Sequence, residues 1–217
     1  MKLLKKELAL ATSKLTYFFT AFGLTALIPG YPILVGAFFV SLGVFKSFEY
    51  AREANDILYS VLLPIKKRDV VKAKYLSTIL FQMMSFVIFS ICTVIRMTVL
   101  RDVTAYVNNA LMAANLTFLG FVLLIYTAFN VIFLGGFFKT AYYHGKPFIF
   151  FIIAAFLLVG IGEALHFIPG NEWLNAVSGK DVLRQIPVLL FGIVIYIIGT
   201  LLSMKKAQKR FELTDIM

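Results

Sequence analysis

Leu15 to Phe45 reads LTYFFTAFGLTALIPGYPILVGAFFVSLGVF, 31 residues without a charge. A helix needs about 20 apolar residues to cross the hydrocarbon of a bilayer. The stretch is therefore too long for one ordinary span and short for two. Pro29-Gly30-Tyr31-Pro32 stands at its centre, and clustered Pro and Gly are strong turn punctuation. The reading that follows is two spans, about 13–28 and 33–48, with Lys14 and Lys46 reaching to one interface. A single kinked helix is the alternative, and the charges elsewhere test it.

Working outward, further charge-poor stretches give spans at about 75–95, 116–138, 147–166 and 186–203, six in all. Composition agrees with a bilayer. The 217 residues are 60% apolar and 15% charged, with 23 phenylalanines and a mean hydropathy of +0.88. An average soluble domain is about 45–50% apolar and about 25% charged, so a 24.4 kDa globule has too little interior for this hydrocarbon. Disorder is excluded by the same numbers. With six spans, 17 of the 21 Lys and Arg fall on one side, and only Arg96, Arg101, Lys180 and Arg184 on the other. That asymmetry is a strong positive-inside signal; merging the first two spans destroys it. The expectation is an all-α polytopic membrane protein, one domain over residues 1–217, with both termini and the 204–217 tail cytoplasmic.

The net charge of +10 then has a membrane explanation. Basic residues flanking helices attract anionic lipid headgroups, and no zinc knuckle, basic stripe or aromatic ribonucleoprotein motif points to nucleic acid. One cysteine, Cys92, excludes an intrachain disulfide, and two histidines argue against a His-rich metal centre. The basic start and apolar middle resemble a secretory signal, but no A-x-A-like site precedes the Pro-Gly turn. Residues 1–12 are expected instead to form an interfacial helix, the apolar face of Leu4, Leu8, Ala11 and Leu15 resting on the membrane.

Residues 49–74 form the informative cytoplasmic segment. Asn55 and Asp56 are suitable N-caps for a short helix that Pro64 ends, and Asp69 caps the next. Leu58, Tyr59, Leu62 and Leu63 give the short helix an apolar face, which must lie on lipid, on its own bundle or on a partner.

Asn55-Asp56 followed by Leu63-Pro64-Ile65-Lys66-Lys67-Arg68-Asp69-Val70-Val71-Lys72-Ala73-Lys74-Tyr75 resembles a signature of type 2 ABC exporter permeases of bacteria. There it reads roughly n-D-x-L-x-S-L-P-I-s-R-k-d-i-V-x-x-K-Y, directly before the third of six spans. Ser60-Val61-Leu62-Leu63-Pro64 is two residues longer than the usual Ser-Leu-Pro. The nearest likeness is to small permeases that export phenol-soluble modulins and related antimicrobial peptides. The resemblance implies a multi-pass permease of a Gram-positive cell membrane, paired with a second permease subunit as a homo- or heterodimer. It also implies a separate ABC ATPase subunit seated on the short helix, with docking by Asp56, Leu58, Tyr59, Leu62, Pro64 and Arg68, and an amphipathic peptide as cargo. ATP and Mg would belong to that ATPase. Independently, the chain has no G-x-x-x-x-G-K-[ST]: Gly179-Lys180 is followed by Asp181, and Leu174 stands where the first glycine belongs.

No acid or base lies mid-span, which argues against proton coupling. Thr78, Gln82, Ser85 and Cys92 form a polar stripe leading to Arg96. Gln82 is eight residues past Lys74 and Asn130 nine before Lys139, so both lie about 12–14 Å deep. Thr78, Gln82, Ser85 and Asn130 are thus candidates either to join helices or to line a polar route. Glu163 and His166 have a metal-like spacing but lack further carboxylates. No Ser/His, Asp/Asp or His/Glu constellation suits an intramembrane enzyme. The rival to the permease is an interaction or immunity protein without a transport cycle.

Overall fold

The computed structural model describes residues 2–62, 64–140 and 143–213; Leu63 of the apolar face and residues 214–217 of the tail lie outside the described residues. Every regular element among the described residues is helical. Helix α1 (Lys2–Lys6) continues as a π turn, Glu7–Ala11. The helical run ends here, before Leu15 can continue its face, because Ser13 is extended and its hydroxyl accepts from Leu15 N at 3.3 Å, capping a new helix. Leu8 packs on the core, but Leu15 is exposed.

Helix α2 (Lys14–Thr20) tightens into a 3-10 segment, Ala21–Leu27. After the Pro29–Pro32 turn, where Gly30 has φ 70°, α3 (Val35–Glu53) returns antiparallel to it. The two helices approach through small residues. Thr16 Oγ1 donates to Gly43 O at 2.6 Å, Ser13 N donates to Ser47 Oγ at 3.2 Å, and a Cβ on Gly36 would collide with Thr25 Oγ1. Asn55, at φ 51°, turns the chain into α4 (Asp56–Leu62); Asn tolerates this left-handed conformation better than most residues. Helix α5 (Lys67–Thr98) begins two residues before Asp69. Asp69 therefore does not cap it, and sits in the first turn against the positive end of the helix dipole.

Helix α6 comprises Leu116–Ala128, a π segment Phe129–Leu134 and a final turn Gly135–Phe137. Helix α7 is Gly145–Leu165 and α8 is Ile186–Glu212, the latter preceded by a short turn, Lys180–Arg184. Among the described residues, four helical runs are long and apolar enough to cross a membrane: Lys67–Thr98, Leu116–Phe137, Gly145–Leu165 and Lys180–Glu212. The α2–α3 hairpin does not reach that measure. Its first arm has seven α-helical and seven 3-10 residues, and its second carries Lys46, Glu49, Arg52 and Glu53.

Helix α6 is the central post. In its most apolar window 78% of residues are buried, against 39% for α5, 28% for α7 and 22% for α8. Phenylalanines fill the space around it. Phe133 meets Phe45 and Phe48 of α3 and Phe148 of α7, and Phe45 stacks on Phe148 at 3.7 Å. The outer helices present Ile91, Val94, Phe150, Leu157, Phe191 and Ile198 outward. Continuous apolar faces of this extent suit lipid and not water.

Helices α6 and α8 cross where a Cβ on Gly192 would stand 2.7 Å from Gly120 O, and one on Gly120 2.9 Å from Val188 O. Backbone cannot yield there as a flexible side chain can. Gly192→Val should therefore destabilise the protein by about 1–3 kcal/mol, read as a lowered Tm in detergent. Gly160→Val, at a position open on α7, should leave Tm nearly unchanged.

Candidate functional site

One end of the bundle gathers α1, α4, the start of α5 and the last turns of α6 and α8. At its centre lies a closed ring of four charges. Lys74 of α5 is buried and places its ammonium 2.5 Å from Glu7 Oε2 and 2.8 Å from Asp56 Oδ2. Lys6 closes the ring, pairing with Asp56 Oδ1 and lying 3.3 Å from Glu7 Oε1. Lys6 also donates to Ser60 Oγ at 2.5 Å. Two ammonium groups and two carboxylates alternate, so no buried charge is left uncompensated. That condition decides whether such a cluster is tolerated, because desolvation costs several kcal/mol per ion. Burial alone would raise the Asp56 carboxyl, but Lys74 and then Lys6 outweigh it and hold it below the usual carboxylate range.

The ring divides α4 into two faces. Asp56, Ile57 and Ser60 are buried, fixing the helix to α1 and α5. Leu58, Tyr59 and Leu62 are 44%, 67% and 74% exposed, an unusual apolar surface at a charged end. The Asp56 carboxylate thus faces inward, where it holds α4 itself. Pro64 is exposed beyond the helix, and Arg68 pairs with Glu212 of α8. Gln208 Nε2 donates to Arg68 O at 3.2 Å, so the last turns of α8 lie beside the entry to α5.

Deeper in the bundle, Gln82 and Asn130 exchange two amide hydrogen bonds of 3.0 Å each. Asn130 Nδ2 also donates to Thr200 Oγ1 at 2.9 Å, and Tyr196 OH to Gln82 Oε1 at 2.8 Å. Ser203 Oγ donates to Asn130 O at 2.8 Å and lies 2.9 Å from Tyr75 OH. Ser85 bonds Tyr126 OH and Gln82 O, and Thr78 Oγ1 donates to Lys74 O at 3.0 Å. Gln82, Ser85, Asn130 and Thr78 are buried; in this conformation Gln82, Ser85 and Asn130 join α5, α6 and α8, while Thr78 bonds only within α5. Asn130 lies in the π segment of α6, an irregularity frequent at functional positions. Sequence reasoning found Gln82 and Asn130 by depth. It missed Tyr196, Thr200 and Ser203, which recur at i+4 and i+3 on α8 and so share one face. It also missed Glu7, although Leu4 and Ala11, three before and four after, mark the apolar face on which that acid lies.

The opposite end is held mainly by side chains bonded to loop backbone. Asn115 caps α6, accepting from Phe118 N at 3.0 Å, while its Nδ2 donates to Leu174 O and Ala176 O. Gln185 donates to Trp173 O at 2.8 Å and accepts from Leu116 N at 3.2 Å. Glu163 Oε2 accepts from Met112 N at 2.7 Å and His166 Nε2 lies 3.3 Å from Ala110 O; these two residues pin a loop. No cluster of three metal-ligating side chains occurs among the described residues. Arg96 lies over the Tyr106 ring at 3.7 Å and donates to Ala26 O at 3.2 Å.

An all-helical bundle with lipid-suited faces and a charged end is a polytopic membrane protein. A family model described as ABC-2 family transporter protein matches residues 2–208, so the chain belongs to that family of ABC transporter membrane subunits. Comparison with curated proteins and with solved structures finds no match.

Removing one member of the ring leaves a buried charge without its counter-ion. Lys74→Met should therefore cost about 3–5 kcal/mol, read as Tm in detergent. The Asp56 contribution has a definite pH sign. Its folded pKa is depressed, so its stabilisation is complete above the ordinary value of about 3.9 and is lost as pH falls through the lower folded value. The Tm gap between wild type and Asp56→Asn should be constant from pH 7 to about 5 and close below about pH 4.

Gln82→Leu leaves Asn130 and Tyr196 with unpaired buried groups, at a cost of about 1–3 kcal/mol. Adding Asn130→Leu should cost less than the sum of the single changes, since both amide partners are then absent. Additive losses in a double-mutant cycle would refute the direct pair.

Proposed function

We propose that this chain is the permease half of an ATP-driven exporter, crossing the bilayer six times with both termini cytoplasmic. It works as one of a pair of permeases, identical or different, above separate ABC ATPase subunits. The cargo is an amphipathic or antimicrobial peptide, carried outward across a Gram-positive cell membrane. The ATPases bind ATP and Mg; this chain supplies the path and the docking surface.

The observation that carries the reading is α4. Its inner face is fixed by the charge ring, and its outer face offers Leu58, Tyr59 and Leu62 to a partner at the basic end. A helix loose on its bundle would absorb a push; one fixed by ion pairs transmits it to α5. Pro64 and Arg68 stand at the exit from that face. Asp56 serves docking from behind, as the anchor of α4.

Two further observations favour six crossings. The 3-10 segment lengthens the first arm, since each residue there rises about 2.0 Å against about 1.5 Å in an α-helix. Lys14–Leu27 thereby reaches about 25 Å and Val35–Glu53 about 28 Å, close to the hydrocarbon thickness of about 27–30 Å. The ion pairs Lys6–Asp56 and Arg68–Glu212 bring the two ends of the chain and the 49–74 segment to one face, and that face carries most of the lysines. Lys-rich faces are cytoplasmic.

Leu58→Glu with Leu62→Glu should abolish co-purification of an ABC ATPase with this chain, leaving its membrane insertion and Tm unchanged. The same pair should remove any resistance to amphipathic peptides that the intact system confers. Resistance that persists while no ATPase is recovered even with wild type would favour an immunity protein acting without a transport cycle.

A further inference from the structure

A buried charge of another kind stands at the end opposite the ring. Arg96, in the last turn of α5, is only 3% exposed. Its Nη1 donates to Ala26 O at 3.2 Å, and its guanidinium lies 3.7 Å over the Tyr106 ring. Tyr106 OH donates to Leu27 O at 2.8 Å, which fixes that ring. These contacts use one of the five N–H donors that a guanidinium carries. No carboxylate pairs with Arg96 among the described residues, although burying an ion costs several kcal/mol. Arg96 lines a cavity of about 220 Å³ together with Arg101, Asn109 and Asn175, and no acidic side chain lines it among the described residues. Arg101 is exposed and already pairs with Asp102 at 3.1 Å, so the uncompensated charge is that of Arg96. Both amides have a settled orientation. Asn175 Oδ1 accepts from Ala113 N at 2.6 Å and Asn109 Oδ1 from Leu111 N at 3.2 Å. A backbone N–H can only donate, so the amide oxygens are engaged there and the NH2 ends, which only donate, are left for a ligand.

We infer that this cavity binds a phosphate group, that of a lipid headgroup or of a soluble phosphate, with Arg96 as its counter-ion and Asn109 and Asn175 as neutral donors. A wall of donors around one unmatched guanidinium selects an oxyanion, the partner that Arg binds through two parallel hydrogen bonds. The donors come from three segments: the end of α5, the loop after the Thr104–Val107 turn, and the 3-10 turn Glu172–Asn175. A tetrahedral phosphate presents oxygens in every direction and can meet donors from separate segments together. A carboxylate presents its oxygens in one plane. Size agrees with the assignment, because the cavity is below the about 300–1,000 Å³ usual for whole ligands. It takes the phosphate and leaves the remainder of a lipid outside. The site holds whichever way the chain crosses the bilayer, and needs no transport cycle.

Thermal unfolding of the purified full chain in detergent, titrated with inorganic phosphate or with acetate at equal ionic strength, tests this. Wild-type Tm should rise saturably with phosphate and not with acetate. Asn175→Asp keeps an oxygen for Ala113 N but replaces the NH2 donor by a negative charge. It should therefore fold and weaken the phosphate response at least about tenfold. Asn109→Asp, which keeps the acceptor for Leu111 N, should do the same, and Arg96→Gln should lose the response altogether. Native mass spectrometry with dioleoyl phosphatidylglycerol separates the two sources. Lipid that wild type retains, that Asn175→Asp does not, and that inorganic phosphate displaces identifies the headgroup as the occupant. Saturation by inorganic phosphate without displacement of lipid identifies a soluble phosphate. An equal Tm response in wild type and both Asp variants would overturn the site in favour of a general salt effect. A response to acetate equal to that to phosphate would overturn it too. So would the absence of any saturable phosphate response together with equal lipid retention by wild type and Asn175→Asp.

Discussion

Lys74 is the residue on which the arrangement of the basic end depends. It is the place where α5 gives up the aqueous environment, and its ammonium enters the bundle only because Glu7 and Asp56 receive it. In a medium of low dielectric an ion is tolerated when its partners are fixed and complete. The requirement is mutual. Glu7 and Asp56 are themselves buried, and two carboxylates this close would repel without the two ammonium groups between them. A four-membered ring of alternating sign is the smallest arrangement that satisfies all its members. It joins three segments far apart in sequence: α1, the short helix α4 and the entry of α5. Displacing any one of them separates opposite charges before water can replace the lost partner.

What lies below the ring follows from the same constraint with weaker groups. Gln82 stands eight residues beyond Lys74 on α5, about 12 Å further in. There an ion would be too costly, and the amide pair with Asn130 takes its place. Reciprocal amides satisfy one donor and one acceptor on each side, and Thr200, Tyr196 and Ser203 absorb much of the remaining capacity. The network therefore fixes α5, α6 and α8 in register without leaving the orphaned polar groups that hydrocarbon punishes. The π segment contributes here. It shifts the residues after Ala128 around the helix axis relative to a regular helix, with Asn130 among them, and the backbone oxygen of Asn130 receives Ser203 as well.

Some of this was legible in the sequence, for reasons that differ residue by residue. Long apolar helices announce themselves through composition, so the runs in α5 to α8 could be read directly. The shared depth of Gln82 and Asn130 could be read because helical rise is constant. The tightening of α2 into a 3-10 segment could not, since nothing in Ala21–Leu27 except Gly23 marks it; close packing of Gly23 against Ile88 arises only in the assembled bundle. The charge ring was half legible. Asp56 could be read as a helix start, but its partners, Lys6 and Lys74, lie 50 and 18 positions away, and the basic end has many lysines to choose from. Only burial distinguishes Lys74 from Lys72. Asn115 and Gln185 were invisible because they act on loop carbonyls, whose positions no periodicity encodes.

The two ends of the bundle use different chemistry, and the difference bears on what each can do. The end opposite the ring, beside Glu163 and Arg96, is held by neutral side chains bonded to backbone in loops, Asn115 and Gln185 above all. Such bonds are worth about 0.5–1.5 kcal/mol each and exchange readily for water. The basic end is held by buried ion pairs that water replaces poorly. Helix α4 is therefore joined to α5 through charged groups, at Lys74. From α5 the Gln82–Asn130 pair connects to α6, the most enclosed of the four long helical runs, and Tyr196 and Thr200 connect to α8. The weakest links along this line are the loop contacts farthest from α4. The sequence sets up this contrast by placing the ring of Lys6, Glu7, Asp56 and Lys74 at one end, and at the other Asn115 and Gln185 on loop carbonyls, with the buried Arg96 on the Tyr106 ring and Ala26 O.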